Sequence, residues 1–186
     1  MTRNVSTPVG VRPDVSSSIS RLFSFPNPVN EVAARSVAAG VAIVAVLTIV
    51  LATTVGHAWL WLTAVLAYGF LARVLTGPTL SPLGQMATRV AAPRIGREKF
   101  VPGPPKRFAQ GMGLTISLTA LILVAVRADT AALVLLGMLV AAATLESALA
   151  FCIGCRIFGF LMRAGFIPET ACAACADISL RNSRAA

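Results

Sequence analysis

The sequence predicts an all-α membrane protein of four transmembrane helices, arranged as two helical hairpins with both termini cytoplasmic. Three observations predict it. Of 186 residues, 56% are hydrophobic and only 12% are charged, about half the roughly 25% charged residues of an average soluble domain. Apolar runs long enough to cross a hydrocarbon core of about 30 Å recur four times. The basic residues behind the +9 charge fall almost entirely on one side of those runs. A water-soluble enzyme is thereby excluded. The pI of about 11.0 does not point to nucleic acid, because proteins of that kind display Lys and Arg on a polar surface that this chain lacks. The excess positive charge is read as topology determination with attraction to anionic lipid, so the lipid bilayer is the expected partner and nucleic acid is not.

The elements follow in chain order. Met1 to Ser18 is polar, offers too little apolar surface to fold alone, and is expected to be disordered. Ile19, Leu22, Phe23 and Phe25 beside Arg21 are expected to lie on the membrane surface, until Pro26 and Pro28 redirect the chain. This arm, residues 1–25, precedes a four-helix domain expected over 26–160. Asn30 offers a helix cap. Val32 to Thr54, with Arg35 as its only charge, is the first span; it exceeds the roughly 7–15 apolar residues of a signal peptide, and no small-residue cleavage site follows it. After the turn Val55-Gly56-His57, Ala58 to Leu75 is the second span, with Trp59 and Trp61 at the depth where amphipathic rings anchor.

Gly77, Pro78, Ser81, Pro82 and Gly84 turn the chain into a central loop. Within it, Leu83 to Val90 is expected as a short interfacial helix, and Pro102, Pro104 and Pro105 keep the basic stretch from Arg94 to Arg107 extended. Phe108 to Val126 and Ala131 to Phe151 are the third and fourth spans, joined by Arg127 to Thr130. Residues 161–186 form a tail. Lys and Arg stay cytoplasmic far more often than not, and all the basic residues but Arg127 lie in or beside the arm, the central loop and the tail. Small residues, among them Ser36, Gly40, Gly137 and Ala141, are expected to let the spans approach closely.

Chemistry concentrates in four cysteines: Cys152 and Cys155, then Cys172 and Cys175, with sixteen residues between the pairs. In a reducing cytoplasm, paired thiols are more often metal ligands or redox groups than standing disulfides. Neither pair is followed by histidine, so haem attachment is excluded. One reading is a four-thiolate zinc site, whose ligand spacing matches; against it, the first pair continues from an apolar helix and the second has no Gly or Pro to form a ligand knuckle. A second is dithiol chemistry between neighbours three residues apart on a helix, with Arg156 and Arg163 opposing the dipole at the C-terminus of the fourth span, or with Gly154 breaking the helix so that Cys155 begins a new one. A third is that the thiols are apolar packers without chemistry.

Glu146 is an acid inside the hydrocarbon and a functional candidate by default. On one straight helix it lies about 240° from Cys152 and about 180° from Cys155, which disfavours a direct base role. A neutralising contact with Arg35 or Gln110 is expected instead. His57, the sole histidine, sits in the outer turn, excluding a histidine-based catalytic site on the cytoplasmic face. No glycine-rich phosphate loop and no Ser/His/Asp arrangement is present. A transporter reading finds little support, since the spans hold few polar groups and no broken helix.

Phe25 to Arg35 (FPNPVNEVAAR), Gly77-Pro78, Ser81-Pro82-Leu83-Gly84, Arg107-Phe108-Ala109-Gln110-Gly111 and, most specifically, Phe151-Cys152-Ile153-Gly154-Cys155 resemble the bacterial membrane family called domain of unknown function 4395, over about Pro26 to Phe160. The resemblance implies a four-helix bacterial inner-membrane protein. Members encoded near thioredoxin-like proteins and sulfurtransferases imply a thiol or sulfane-sulfur role, so the leading expectation is that Cys152 and Cys155 exchange with such a partner while Cys172 and Cys175 act as a relay pair. No cofactor is then expected. The alternative is a scaffold or zinc-binding protein with all four cysteines as ligands.

Overall fold

The computed structural model describes residues 25–95, 99–172 and 175. The stretches for which disorder and membrane-surface contact are expected, up to residue 24, and the tail from residue 176 on lie outside the described residues.

Four helices are long and apolar enough to cross a membrane: Glu31–Thr54, His57–Thr76, Gly103–Ala125 and Asp129–Leu149. The described elements begin with β1 (Val29–Asn30) and α1 (Glu31–Thr54). A 3₁₀ segment, His57–Leu62, leads into α2 (Thr63–Thr76). Then come α3 (Pro82–Met86), a π-helical turn at Ala87–Ala91 and α4 (Ala92–Ile95). β2 (Phe100–Val101) precedes α5 (Gly103–Ala125), α6 (Asp129–Leu149), α7 (Ile153–Arg163) and a closing 3₁₀ turn, Glu169–Cys172.

The boundaries follow local chemistry. Asn30 caps α1 as expected, its Oδ1 accepting the N–H groups of Val32 at 2.9 Å and Ala33 at 3.4 Å. The third long helix starts earlier than the expected Phe108, because Pro104 and Pro105 stand in its first turn, where a missing N–H costs nothing and the fixed φ already suits a helix. The fourth ends at Leu149 rather than Phe151. One feature has no counterpart in the expectations: β1 and β2 pair antiparallel, Val29 opposite Val101 and Asn30 opposite Phe100. With the Lys99–Glu31 ion pair at 2.9 Å and the bond from the Gly103 N–H to Asn27 Oδ1 at 3.1 Å, this ladder ties the entrance of α1 to the entrance of α5.

Among the long helices, α1 packs most extensively along α6 and α2 along α5, while α5 also lies against α6 and α7 folds back onto α5. The core runs through Val41, Ala45, Leu66, Phe70, Leu136 and Leu139. The close approach is made by Gly113, on which any Cβ would collide with the Phe70 ring. Gly137 and Ala141, expected at such contacts, are not there: a Cβ on Gly137 would meet nothing within 4 Å, and Ala141 is exposed. Outward faces are apolar, with Ile43 68% and Val134 60% exposed, which suits lipid and not water. Two buried hydroxyls bond within their own helix, Thr48 to the Val44 carbonyl and Ser117 to that of Leu114, so that neither is left unpaired in the apolar interior. At the far end of the bundle, His57 Nδ1 lies 2.8 Å from Asp129 Oδ2, joining the two short turns.

Candidate functional site

Helix α6 stops because Ala150 adopts a left-handed conformation, φ 55° and ψ 22°. Phe151 then bonds back to the Leu145 carbonyl, and Cys152, in extended conformation, becomes the N-cap of α7. Its Sγ accepts the Cys155 N–H at 3.3 Å, the role a Ser or Asp oxygen plays at other helix starts. The straight helix from Glu146 into the cysteines is not formed, and the break that Gly154 could have made falls instead at Ala150, four residues earlier. The pair stands at a helix N-terminus, whose partial positive charge favours a thiolate, and not at a C-terminus, which opposes it. Alanine is the best helix former, so nothing at position 150 announces the break.

The Cys155 Sγ lies 2.6 Å from Cys152 Sγ, a short movement from the roughly 2.05 Å of a disulfide. The two thiols are electrostatically unequal. Accepting the Cys155 thiol hydrogen bond holds Cys152 below the usual thiol range, helped by the charge of Lys106 and the Cys155 N–H, with burial and Glu146 opposing. Donating that bond, together with burial, pushes Cys155 far above it. Of the two thiols, Cys152 is therefore the one that ionises more readily.

Gly154 sets the seat of this turn. A Cβ there would fall 2.6 Å from the Cα of Ala109, so only glycine lets the start of α7 rest on α5. Phe158 closes edge-on against Phe108, ring centres 5.7 Å apart.

Around the turn lies a polar cluster with partners other than those expected. Glu146 pairs with Lys106, Oε1 to Nζ 2.7 Å, with side chains only 15% and 10% exposed. Arg35 instead donates to the Ser147 carbonyl at 3.0 Å and the Ala148 carbonyl at 3.1 Å, satisfying orphan acceptors at the end of α6. Gln110 Oε1 accepts from Arg73 Nε at 2.8 Å. Arg73 is 4% exposed; it also donates to Ser81 Oγ at 3.2 Å and lies over the Phe70 ring, 4.6 Å from its centre. Sequence reading missed both cations. Arg73 carries a usable signal, a charge inside an apolar run, whereas Lys106 falls in the loop when the third span is read from Phe108.

The second pair differs in state. Cys172 and Cys175 are joined in a disulfide, while Cys152 and Cys155 are free. Among the described residues, no group of three or more His, Cys, Asp or Glu side chains is placed to hold a metal ion.

Residues 29–163 match the family described as Domain of unknown function (DUF4395). The chain belongs to this family. The DUF4395 segment opens at β1 and closes at the last residue of α7, so it holds all four long helices and the Cys152–Cys155 turn and leaves Cys172 and Cys175 outside. No curated protein and no solved structure matches the chain.

Two cavities meet at the cysteine turn of the DUF4395 segment. One, of about 210 Å³, lies among the long helices and is lined by Val41, Phe70, Gln110, Met138, Glu146 and Cys152, among others. The other, of about 290 Å³, lies over α7 and is bordered by Lys106, Cys152, Cys155, Arg156, Phe158 and Cys175. Cys152 borders both. Glu146 and Cys152 thus line one cavity, although on a straight helix they would face different sides.

Proposed function

We propose that the chain is a membrane dithiol protein in which Cys152 and Cys155 carry out thiol–disulfide exchange, with Cys172 and Cys175 as the relay to a partner. The orientation that goes with this reading has two helical hairpins in a bacterial inner membrane and both termini cytoplasmic, as the placement of Lys and Arg favours. The observation that carries the reading is the capped turn at Cys152: a sulfur held at a helix N-terminus and bonded by the thiol three residues on. Metal-free packing cysteines have no need of such an arrangement.

Exchange proceeds as follows. The Cys152 thiolate attacks one sulfur of a disulfide; its S–S bond breaks, a mixed disulfide forms, and the other sulfur leaves as a thiolate and takes up a proton. Cys155 then loses its proton and attacks Cys152 Sγ, forming the Cys152–Cys155 disulfide and releasing the second thiol. Two electrons pass from this pair to the partner pair. Run in reverse, the same steps reduce Cys152–Cys155. The neighbouring Cys172–Cys175 disulfide is the internal partner, and a thioredoxin-like protein or a sulfurtransferase is the expected external one.

Thiol trapping in membranes tests this. Cys152 and Cys155 should be blocked after mild oxidation and alkylated after reduction. If all four cysteines label identically under both conditions, the reading fails. Persulfide at Cys152, found by mass spectrometry, would assign sulfane-sulfur transfer in place of disulfide exchange.

A further inference from the structure

We infer that the cavity beneath Cys152 binds a quinone-class, lipid-soluble electron acceptor that oxidises the Cys152 and Cys155 dithiol. The inference rests on the exchange reading above and supplies what that reading lacks, a terminal oxidant.

The lining argues for the ligand's shape. Walls from α1, α2, α5 and α6 are apolar, and the polar groups, Gln110, Glu146 and Cys152, come from the end capped by α7. A site of this kind takes a ligand with an apolar body and a polar group at one end. An apolar cavity of about 150 Å³ already takes up benzene, so about 210 Å³ admits one substituted ring. Met138, on the lining, is 56% exposed while its neighbour Leu139 is 4% exposed in the core, so one wall of the cavity reaches the outward, lipid-facing surface.

The polar end argues for carbonyl oxygens. Gln110 Oε1 is held by Arg73 Nε, which leaves the amide NH₂ as the group that donates to a ring carbonyl. Cys152 stands at the same end and also borders the second cavity with Cys155 and Cys175. Cys152 therefore borders both the cavity among the long helices and the one that also holds Cys175.

The step balances. Cys152 sulfur adds to the ring, Cys155 attacks Cys152 Sγ, the carbon–sulfur bond breaks and the S–S bond forms. Two thiols give two electrons and two protons, and the quinone becomes a quinol. A dithiol partner then restores the pair through Cys172 and Cys175.

The test uses the full chain, reduced, in nanodiscs without oxygen. Ubiquinone-1 should be consumed at two equivalents per protein, one for each dithiol, because Cys172 and Cys175 re-reduce the first pair once, and at one equivalent in the Cys172→Ser, Cys175→Ser chain, where a Cys152–Cys155 disulfide should be found by peptide mapping. A photoreactive azidoquinone should label the peptides containing Met112 or Met138, and Ala142→Phe, which fills the cavity, should lower both labelling and quinol formation at least tenfold. Reaction with glutathione disulfide is run in parallel. If glutathione disulfide oxidises the pair while ubiquinone-1 stays oxidised, the quinone site is overturned and the exchange reading stands. If neither reacts, both fall. Labelling outside the cavity, or labelling displaced by a saturated phospholipid without quinol formed, overturns the site. Should Ala142→Phe not fold, the wild-type labelling pattern decides alone.

Discussion

Lys106 Nζ lies 2.7 Å from Glu146 Oε1 across the interface of α5 and α6, at the level where Cys152 caps α7. The pair is nearly buried, and removing one partner leaves an uncompensated charge. Lys106→Met alone is expected to destabilise the bundle by about 3–5 kcal/mol, and the double variant with Glu146→Leu by much less, because a buried ion pair replaced whole is often neutral. Thermal unfolding in detergent of the two single variants and the double variant measures this as a coupling energy.

The same two residues bias Cys152 in opposite directions, since Lys106 draws its ionisation down and Glu146 raises it. Removing the positive neighbour should move the pH profile of Cys152 alkylation to higher pH in Lys106→Met. Removing the negative one should move it lower in Glu146→Gln. In the wild type the profile should turn over below the ordinary thiol value of about 8.5, because a lowered pKa keeps the thiolate present at more acidic pH. Cys155→Ala deletes the donor and should raise it. Iodoacetamide kinetics from pH 5 to 10 on single-cysteine readouts give the four curves, and coincident curves would remove the electrostatic account.

Much of this fold is legible from composition and periodicity, for reasons the structure makes plain. Apolar runs of sufficient length cannot stay in water, and Asn30 is a cap by its own chemistry. The site is less legible. Its decisive feature, the break at Ala150, comes from a residue that prefers helix, and it is the seating of Gly154 on Ala109 that makes the break worthwhile. The salt-bridge partner of Glu146 is hard to read from sequence because Pro104 and Pro105, which here stand in a first helical turn, equally suit an extended loop that would carry Lys106 with it.

Gly154→Ala should be destabilising by about 1–3 kcal/mol, because a Cβ pressed against the Ala109 backbone forces α7 off α5. The displacement should also loosen the Cys152 cap. A fall in melting temperature together with a slower, less selective alkylation of Cys152 is the expected pattern. An unchanged melting temperature would show that α7 does not sit on α5 at this point.

Asn30→Ala should cost about 0.5–2 kcal/mol through loss of the two cap bonds at the start of α1. Asn30→Ser should recover most of it. Melting temperatures of the three proteins check the ordering wild type, Ser, Ala.

The central claim is that Cys152 exchanges with the second pair, and the direct measurement is capture of the intermediate. Cys175 borders the same cavity as Cys152 and is exposed, whereas Cys172 is 4% exposed, so the mixed disulfide should join Cys152 to Cys175. In a chain carrying Cys155→Ser and Cys172→Ser, mild oxidation in membranes should produce an intramolecular Cys152–Cys175 crosslink, read by mass spectrometry of the joined peptides. Two free thiols after that oxidation, or crosslinks only between separate chains, would contradict the account.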